Sequence, residues 1–416
     1  GKLADIKGRR LLLGFAAVSF LLGSLACALA TSMPALILAR CLQGVGGGGI
    51  FAMVQTIIGD IVPVRDRPRF QVYTSTVWLV ANIMGPLLGG LLTDHWHWSM
   101  IFWLNLPLRS PPLLLVWPRL AKLPRHERPH QLDYIGSLLI ILATVLTMLA
   151  LSSGGVRYPW SSIEMLALIG ATLLAWILLA WRQMTASEPL IPLTVLSKPL
   201  VRRAVITSFS AMGAYIGIVV WLPVWLQTVA GMGVAEAGMW TLPLMATSTL
   251  GAQAGAYALR NSANYHRVPL AGTLLASVST LVLAVYAAGM PLWLFVLATA
   301  LISAGIGAIF PMLAVSLQAA VRVARRIAEI GRLNVFMRSL GSAIGVAVTG
   351  AILIGFAGAA ALEKHGAPGL ASADLVNGFR YAYAAAAVGF AIAFVTLLRM
   401  GRPSTGLHPT SKAFRH

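Results

Sequence analysis

The chain has 416 residues, of which 58% are hydrophobic and only 10% charged, and its formal net charge is +19. A soluble domain carries about 25% charged residues, so this composition and a mean hydropathy of +0.81 exclude an ordinary water-soluble fold. The positive charge is spread in small clusters along the chain rather than gathered on one face, which argues against nucleic acid and for loop charges that set membrane topology.

Twelve apolar stretches follow one another, each near the roughly 20 residues that a helix needs to cross the hydrocarbon. After the opening turn GKLADIKGRR, the first four spans are expected at Leu11–Ala30, Pro34–Ile61, Phe70–Thr93 and Trp98–Trp117. A polar, proline-containing linker starts at Pro118, and two spans follow at Leu132–Ser152 and Ile163–Trp181. A second linker holds Pro189, Pro192 and Pro199. The last six spans are expected at Ala204–Gln227, Ala237–Leu259, Val268–Ala288, Leu292–Ala319, Leu333–Phe356 and Gly378–Leu398, with a polar tail from Gly401. The expected class is an all-α polytopic membrane protein. Its parts would be an N-terminal bundle (1–128), two linker helices (129–183), a C-terminal six-helix bundle (184–400) and a tail (401–416).

The loops alternate in charge. Twenty-five of the 31 lysines and arginines lie on every second loop, from Lys2 to Arg415, while the intervening loops hold Arg157 and Lys364, with Arg380 at a helix mouth. Basic loops stay cytoplasmic, so both ends of this chain are expected inside. The first thirty residues have the outline of a signal peptide, but removing one span would invert the bias of every later loop. Cys27 and Cys41 fall within apolar stretches and read as small hydrophobes.

Several motifs carry more than packing. In GKLADIKGRR, Gly1 and Gly8 permit the bends of a tight turn, and Asp5 lies opposite Arg9 and Arg10. Arg40 sits about 9 Å inside the second span, at about 1.5 Å rise per residue. An arginine at such depth costs roughly 2.5 kcal/mol or more and normally faces a bundle interior with a partner. Gln43 and Gly44 share its face, which suggests a proton relay or a translocation path. In the third span Pro86 interrupts the helix, and Gly85, Gly89 and Gly90 strip side chains from around it, giving a bendable, closely packed segment. Gly44 to Gly49, Gly305–Gly307 and Gly341–Gly345–Gly350 offer further smooth faces for helix packing.

These motifs resemble those of the major facilitator superfamily. Gly1, Leu3, Ala4, Asp5, Gly8, Arg9 and Arg10 match its loop signature GxLaDxxGRk, with Ile6 a departure, and Arg40, Gln43 and Gly44 match RxxqGxg. GPLLGG resembles its antiporter signature gxxxGPxxGG, with Ala81 in place of the first glycine. Asn105 and Pro107 in WSMIFWLNLP resemble the WRWxFxiNxP pattern of the fourteen-span drug:proton antiporters. There Ser99, Met100 and Arg109 depart, and Arg109 with Pro111 and Pro112 is expected to distort the fourth span. WLPVWLQ, AGMWTLP, GAIFP and FMRSLGSAIGVAVTGAI resemble that subfamily's second half.

The resemblance implies a six, two and six arrangement, of which this chain lacks the first two helices. It implies an inner-membrane exporter that exchanges protons for amphipathic, cationic drug-like compounds by alternating access, with the lipid bilayer and in some cases a periplasmic adaptor as partners. The residues themselves offer no nucleophile-base pair, nucleotide loop or metal cluster, His95 and His97 lacking further ligands, so no enzymatic chemistry, cofactor, metal or nucleic acid is expected. Trp78, Met84, Trp221, Trp225, Met239 and Trp240 are candidate substrate contacts, although interfacial or lipid-facing positions explain each tryptophan equally well.

Such coupling needs a carboxylate in low dielectric, and no acid is expected in mid-span: Asp60, Asp94, Asp133, Glu164, Glu236 and Asp374 fall at span ends or in adjacent loops and Glu127, Glu188, Glu329 and Glu363 in loops. Either the coupling acid belongs to the missing first helix or Arg40 works with an end-placed acid such as Asp94. Two alternatives therefore stand beside the exporter. One is a non-transporting membrane remnant or scaffold. The other is a facilitator for an organic anion or another small solute.

Overall fold

The computed structural model describes residues 8–62, 73, 76–77, 80–81, 84–85, 88–93, 95–120, 133–154, 157–186, 196–261, 266–286, 289–319, 324–357 and 373–400. Among them run eleven helices and no strand: α1 (Arg9–Ala28), α2 (Met33–Ile61), α3 (Met100–Leu120), α4 (Tyr134–Ser153), α5 (Ile163–Thr185), α6 (Pro199–Thr228), α7 (Val234–Asn261), α8 (Arg267–Tyr286), α9 (Leu292–Ala319), α10 (Ala324–Ala357) and α11 (Ala373–Met400). The described positions between 73 and 93 are helical too. Nine of the described helices are long and apolar enough to cross a membrane. α3 and α7 have spanning length at 21 and 28 residues but are not among those nine.

Local signals set several ends. Gly8 precedes α1 at φ 85, a backbone conformation that glycine adopts at no steric cost, as the opening turn requires. Ser32 accepts from the Ala35 N–H at 3.4 Å at the start of α2, where Pro34 also falls. Ser162 accepts from the Met165 N–H at 3.2 Å at the start of α5. Each hydroxyl satisfies a donor that the helix itself leaves unpaired. α3 is the correction: despite Pro107, Pro111 and Pro112 it continues unbroken from Met100 to Leu120, and Arg109 is exposed rather than buried.

The chain divides into two compact units, Gly1–Asp133 and Tyr134–His416. In the first, α1 packs on α2 and α3. In the second, α6 packs on α10 and α11, α7 on α9, and α8 on α9 and α11. α4 and α5 form a hairpin in this unit, tied by Trp176 Nε1 donating to Thr147 Oγ1 at 3.0 Å, and α4 also touches α10.

The second unit's core combines large apolar side chains, among them Phe295, Ile302, Ile306, Phe379 and Phe390, with backbone crossings at glycine. A Cβ on Gly251 or Gly307 would strike the carbonyl oxygen of Ala304 or Ser248 across the α7–α9 contact. A Cβ on Gly341 or Gly345 would strike that of Phe209 or Gly213 across α6–α10. Without a hydrophobic drive between helices in lipid, such close backbone approach supplies the attraction. Hydroxyls add directional ties: Thr207 Oγ1 lies 2.8 Å from Thr396 Oγ1, joining α6 to α11, and Tyr215 Oη lies 3.0 Å from Ser303 Oγ, joining α6 to α9.

Candidate functional site

The first unit holds its charged span residue through a helix crossing. Gly23 of α1 lies so close to α2 that a Cβ there would meet the Gln43 backbone, and Gly46 of α2 would likewise meet the backbone of Phe20. This contact carries Ser24 to Gln43. Arg40 Nη1 donates to Gln43 Oε1 at 2.7 Å, and Gln43 Nε2 donates to Ser24 Oγ at 2.8 Å. Gln43 and Ser24 are buried, whereas Arg40 is exposed. The Arg40 Cζ also stands 5.6 Å from the ring centroid of Phe102 on α3. A cation within about 6 Å of an aromatic face is attracted to it, so among the described residues the guanidinium has one hydrogen-bond partner and one ring partner.

Two more arginines of this unit lie on rings. Arg109 Cζ is 3.8 Å from the Phe20 centroid and Arg10 Cζ is 4.8 Å from that of Trp117. Phe102, Asn105 and Arg109 follow at i, i+3 and i+7 along α3 and so share one stripe. Asn105 is partly buried and Pro107 exposed. Arg9 is buried.

Other expected site residues divide. Gly1, Asp5, Trp78 and Pro86 lie outside the described residues. Gly85 and Gly89 are helical, but a Cβ on either meets nothing within 4 Å, so the close packing expected around them is not made by the described residues. The same holds for Gly44 beside Gln43. Gly90 is buried and Met84 exposed. Trp225 is a correction: it is 4% exposed and stacked on Phe295 with centroids 3.7 Å apart, so it is a core ring with no free face for a substrate. Trp221 and Trp240 are partly buried against the same core, and Trp221 Nε1 donates to the Val346 carbonyl at 3.4 Å. Met239 is exposed.

The sequence reading does not single out Ser24, Phe102 or Arg338. Nothing local marks Ser24 or Phe102, since their roles come from neighbouring helices. Arg338 could have been found as an isolated cation within FMRSLGSAIG. It lies in α10, with its Cζ 4.0 Å from the centroid of Phe310 on α9. Three acids of the described helices sit differently: Glu164, Glu236 and Asp374 occupy the first turns of α5, α7 and α11. Negative charge is favoured there by the helix dipole, so these acids have a structural reason for their place.

Arginines in spanning helices, polar ties between helices and glycine crossings define a polytopic membrane protein. Residues 1–346 match the Major Facilitator Superfamily profile, and the chain belongs to that family, whose members are transporters rather than enzymes. It is 31% identical over 363 residues to an uncharacterized MFS-type transporter of Mycobacterium tuberculosis (strain ATCC 25618 / H37Rv), covering 86% of this chain and 52% of the relative. It is 31% identical over 255 residues to multidrug resistance protein 3 of Bacillus subtilis (strain 168), covering 61% of this chain and 50% of the relative. The chain thus spans about half the length of these curated relatives. Among solved structures, a bacterial homologue of the human lysosomal transporter Spinster, inward-facing and occupied, matches with a TM-score of 0.56 at 18% identity, over 95% of this chain and 84% of that chain. That likeness bears on the fold.

Proposed function

We propose that the protein is a proton-coupled multidrug exporter of a bacterial cytoplasmic membrane, moving amphipathic compounds, cations among them, by alternating access. The observation that carries this reading is the chain Arg40–Gln43–Ser24 inside a membrane-spanning helix pair. A guanidinium at that depth is costly unless it faces a water-filled path or has partners, and such a charge marks a path or a relay; the two neutral groups behind it hold it in place without neutralising it. Relatives named for multidrug resistance and efflux support the same reading.

The test is efflux of ethidium from proteoliposomes under an imposed pH gradient. The protein is expected to expel the dye only with the gradient present, and Arg40→Ala to reduce the initial rate by about tenfold or more, with Arg40→Lys between. Gradient-independent movement of the dye, or an Arg40→Ala variant that pumps normally, would remove the basis for coupling through this residue.

A further inference from the structure

The second unit holds an intramembrane cation that takes no part in the Arg40 chain. Arg338 lies within the apolar stretch Leu333–Phe356 of α10. Its guanidinium rests on the Phe310 ring at 4.0 Å, and both side chains are partly buried. Ser342 Oγ donates to the Arg338 carbonyl, not to the guanidinium. Among the described side chains no carboxylate reaches this charge: Glu164, Glu236 and Asp374 stand in the first turns of α5, α7 and α11, and Glu329, on α10 itself, precedes Arg338 by nine residues. One turn earlier on the same face, Asn334 Oδ1 is buried without a hydrogen-bond partner among the described residues. A buried amide oxygen and, one turn on, a partly buried guanidinium, both without hydrogen-bond partners among the described residues, are costly unless something else supplies the missing groups. The guanidinium needs an acceptor with two oxygens in its plane. The carboxamide can offer either its oxygen or, by rotation about one bond, its N–H donors.

We infer that Arg338, with Phe310 against its face and Asn334 one turn away, is the recognition group for the anionic head of an amphipathic substrate, a carboxylate or sulfonate carried on an apolar body. The compounds handled then include organic acids as well as cations. Phe310 blocks one face of the guanidinium and leaves its edge donors to the oxygens, and Phe310 and Met337 are partly buried against the apolar core of the unit. The first unit repeats the chemistry independently, with Arg109 lying on Phe20 at 3.8 Å. The inference rests on the transport reading for its biological meaning but not for its test.

Two probes of one shape separate the alternatives: pyrenebutyrate and its uncharged analogue pyrenebutyramide. Binding to the purified full chain in detergent is read by energy transfer from tryptophan to pyrene. The acid is expected to bind about tenfold more tightly than the amide, as a charge-assisted bidentate contact provides. In Arg338→Gln the ratio should fall to near one, and in Arg338→Lys to an intermediate value because the fork is lost. Asn334→Leu keeps the charge and should lower the ratio several-fold, which keeps the test open if Arg338→Gln folds poorly. A ratio near one in the parent protein, or a ratio unchanged in Arg338→Gln and Asn334→Leu, overturns the inference. Gradient-driven efflux of the same probes distinguishes the two readings. Arg338-dependent preference for the acid without transport removes the exporter and leaves the anion site; transport without preference does the reverse.

Discussion

Gln43 is 6% exposed and Ser24 fully buried, so the bond between them has no water to replace it. Ser24→Ala would strand the Gln43 amide donor. Leaving a buried donor unsatisfied costs about 1–3 kcal/mol in water-soluble proteins, while bilayer hydrogen bonds average about 0.6 kcal/mol. A loss of about 1 kcal/mol is therefore expected, measured by denaturant unfolding in micelles. Gln43→Leu removes the acceptor for Arg40 as well and should cost more. Adding Ser24→Ala to Gln43→Leu should cost little further, because the hydroxyl has then already lost its partner. Fully additive losses in this cycle would mean that the three groups do not form one chain. How much of this site the sequence disclosed follows from the same geometry. Arg40 and Gln43 are one turn apart on a single helix, and their pairing is readable from spacing alone. Ser24 and Phe102 arrive from α1 and α3, and no spacing within α2 could name them. Trp225 shows the converse: its composition suits a drug contact, but only the stack on Phe295 reveals that the ring is already occupied.

Among the helices, hydropathy placed the spans well because lipid leaves the chain few choices; α9, for instance, runs from Leu292 to Ala319 as its apolar stretch does. What sequence could not rank were the glycines. Gly44 and Gly48 sit in the densest run yet a Cβ on either meets nothing within 4 Å, whereas isolated Gly251 and Gly307 press on carbonyl oxygens of a neighbouring helix. The difference depends on where a second helix crosses, which composition does not encode. It yields a sharp contrast. Gly307→Leu should separate α7 from α9 and destabilise the unit by about 3 kcal/mol or more, beyond the usual 1–3 kcal/mol of overpacking, since backbone rather than a flexible side chain must move. Gly44→Ala should be neutral or stabilise by up to about 1 kcal/mol through helix propensity. Thermal unfolding of both variants in one detergent checks the pair, and equal behaviour would contradict the crossing.

Across the whole molecule, charge and contacts meet at the helix ends. Arg203 Nη1 donates to the Arg399 carbonyl at 2.5 Å, so the start of α6 and the end of α11, both basic, lie on one side of the second unit. Arg380 Nε donates to the Ala284 carbonyl at 3.1 Å, which joins the start of α11 to the end of α8 and accounts for an arginine on an otherwise bare side. Arg157 precedes α5 and Arg182 lies in its last turn. A helix of 23 residues extends about 34 Å at about 1.5 Å per residue, enough to cross about 30 Å of hydrocarbon. The turn at Arg157 and the basic end at Arg182 are then expected on opposite sides, and the positive-inside bias predicts Arg182 and Lys198 on the cytoplasmic one. Cysteine labelling decides this in intact cells, starting from a Cys41→Ser background because Cys41 is exposed while Cys27 is buried. A membrane-impermeant maleimide should label Arg157→Cys from outside and reach Lys198→Cys only after permeabilisation. Labelling of both from one side would mean that α5 does not cross the bilayer, and the reverse pattern would turn the whole topology over, taking with it the direction assigned to export.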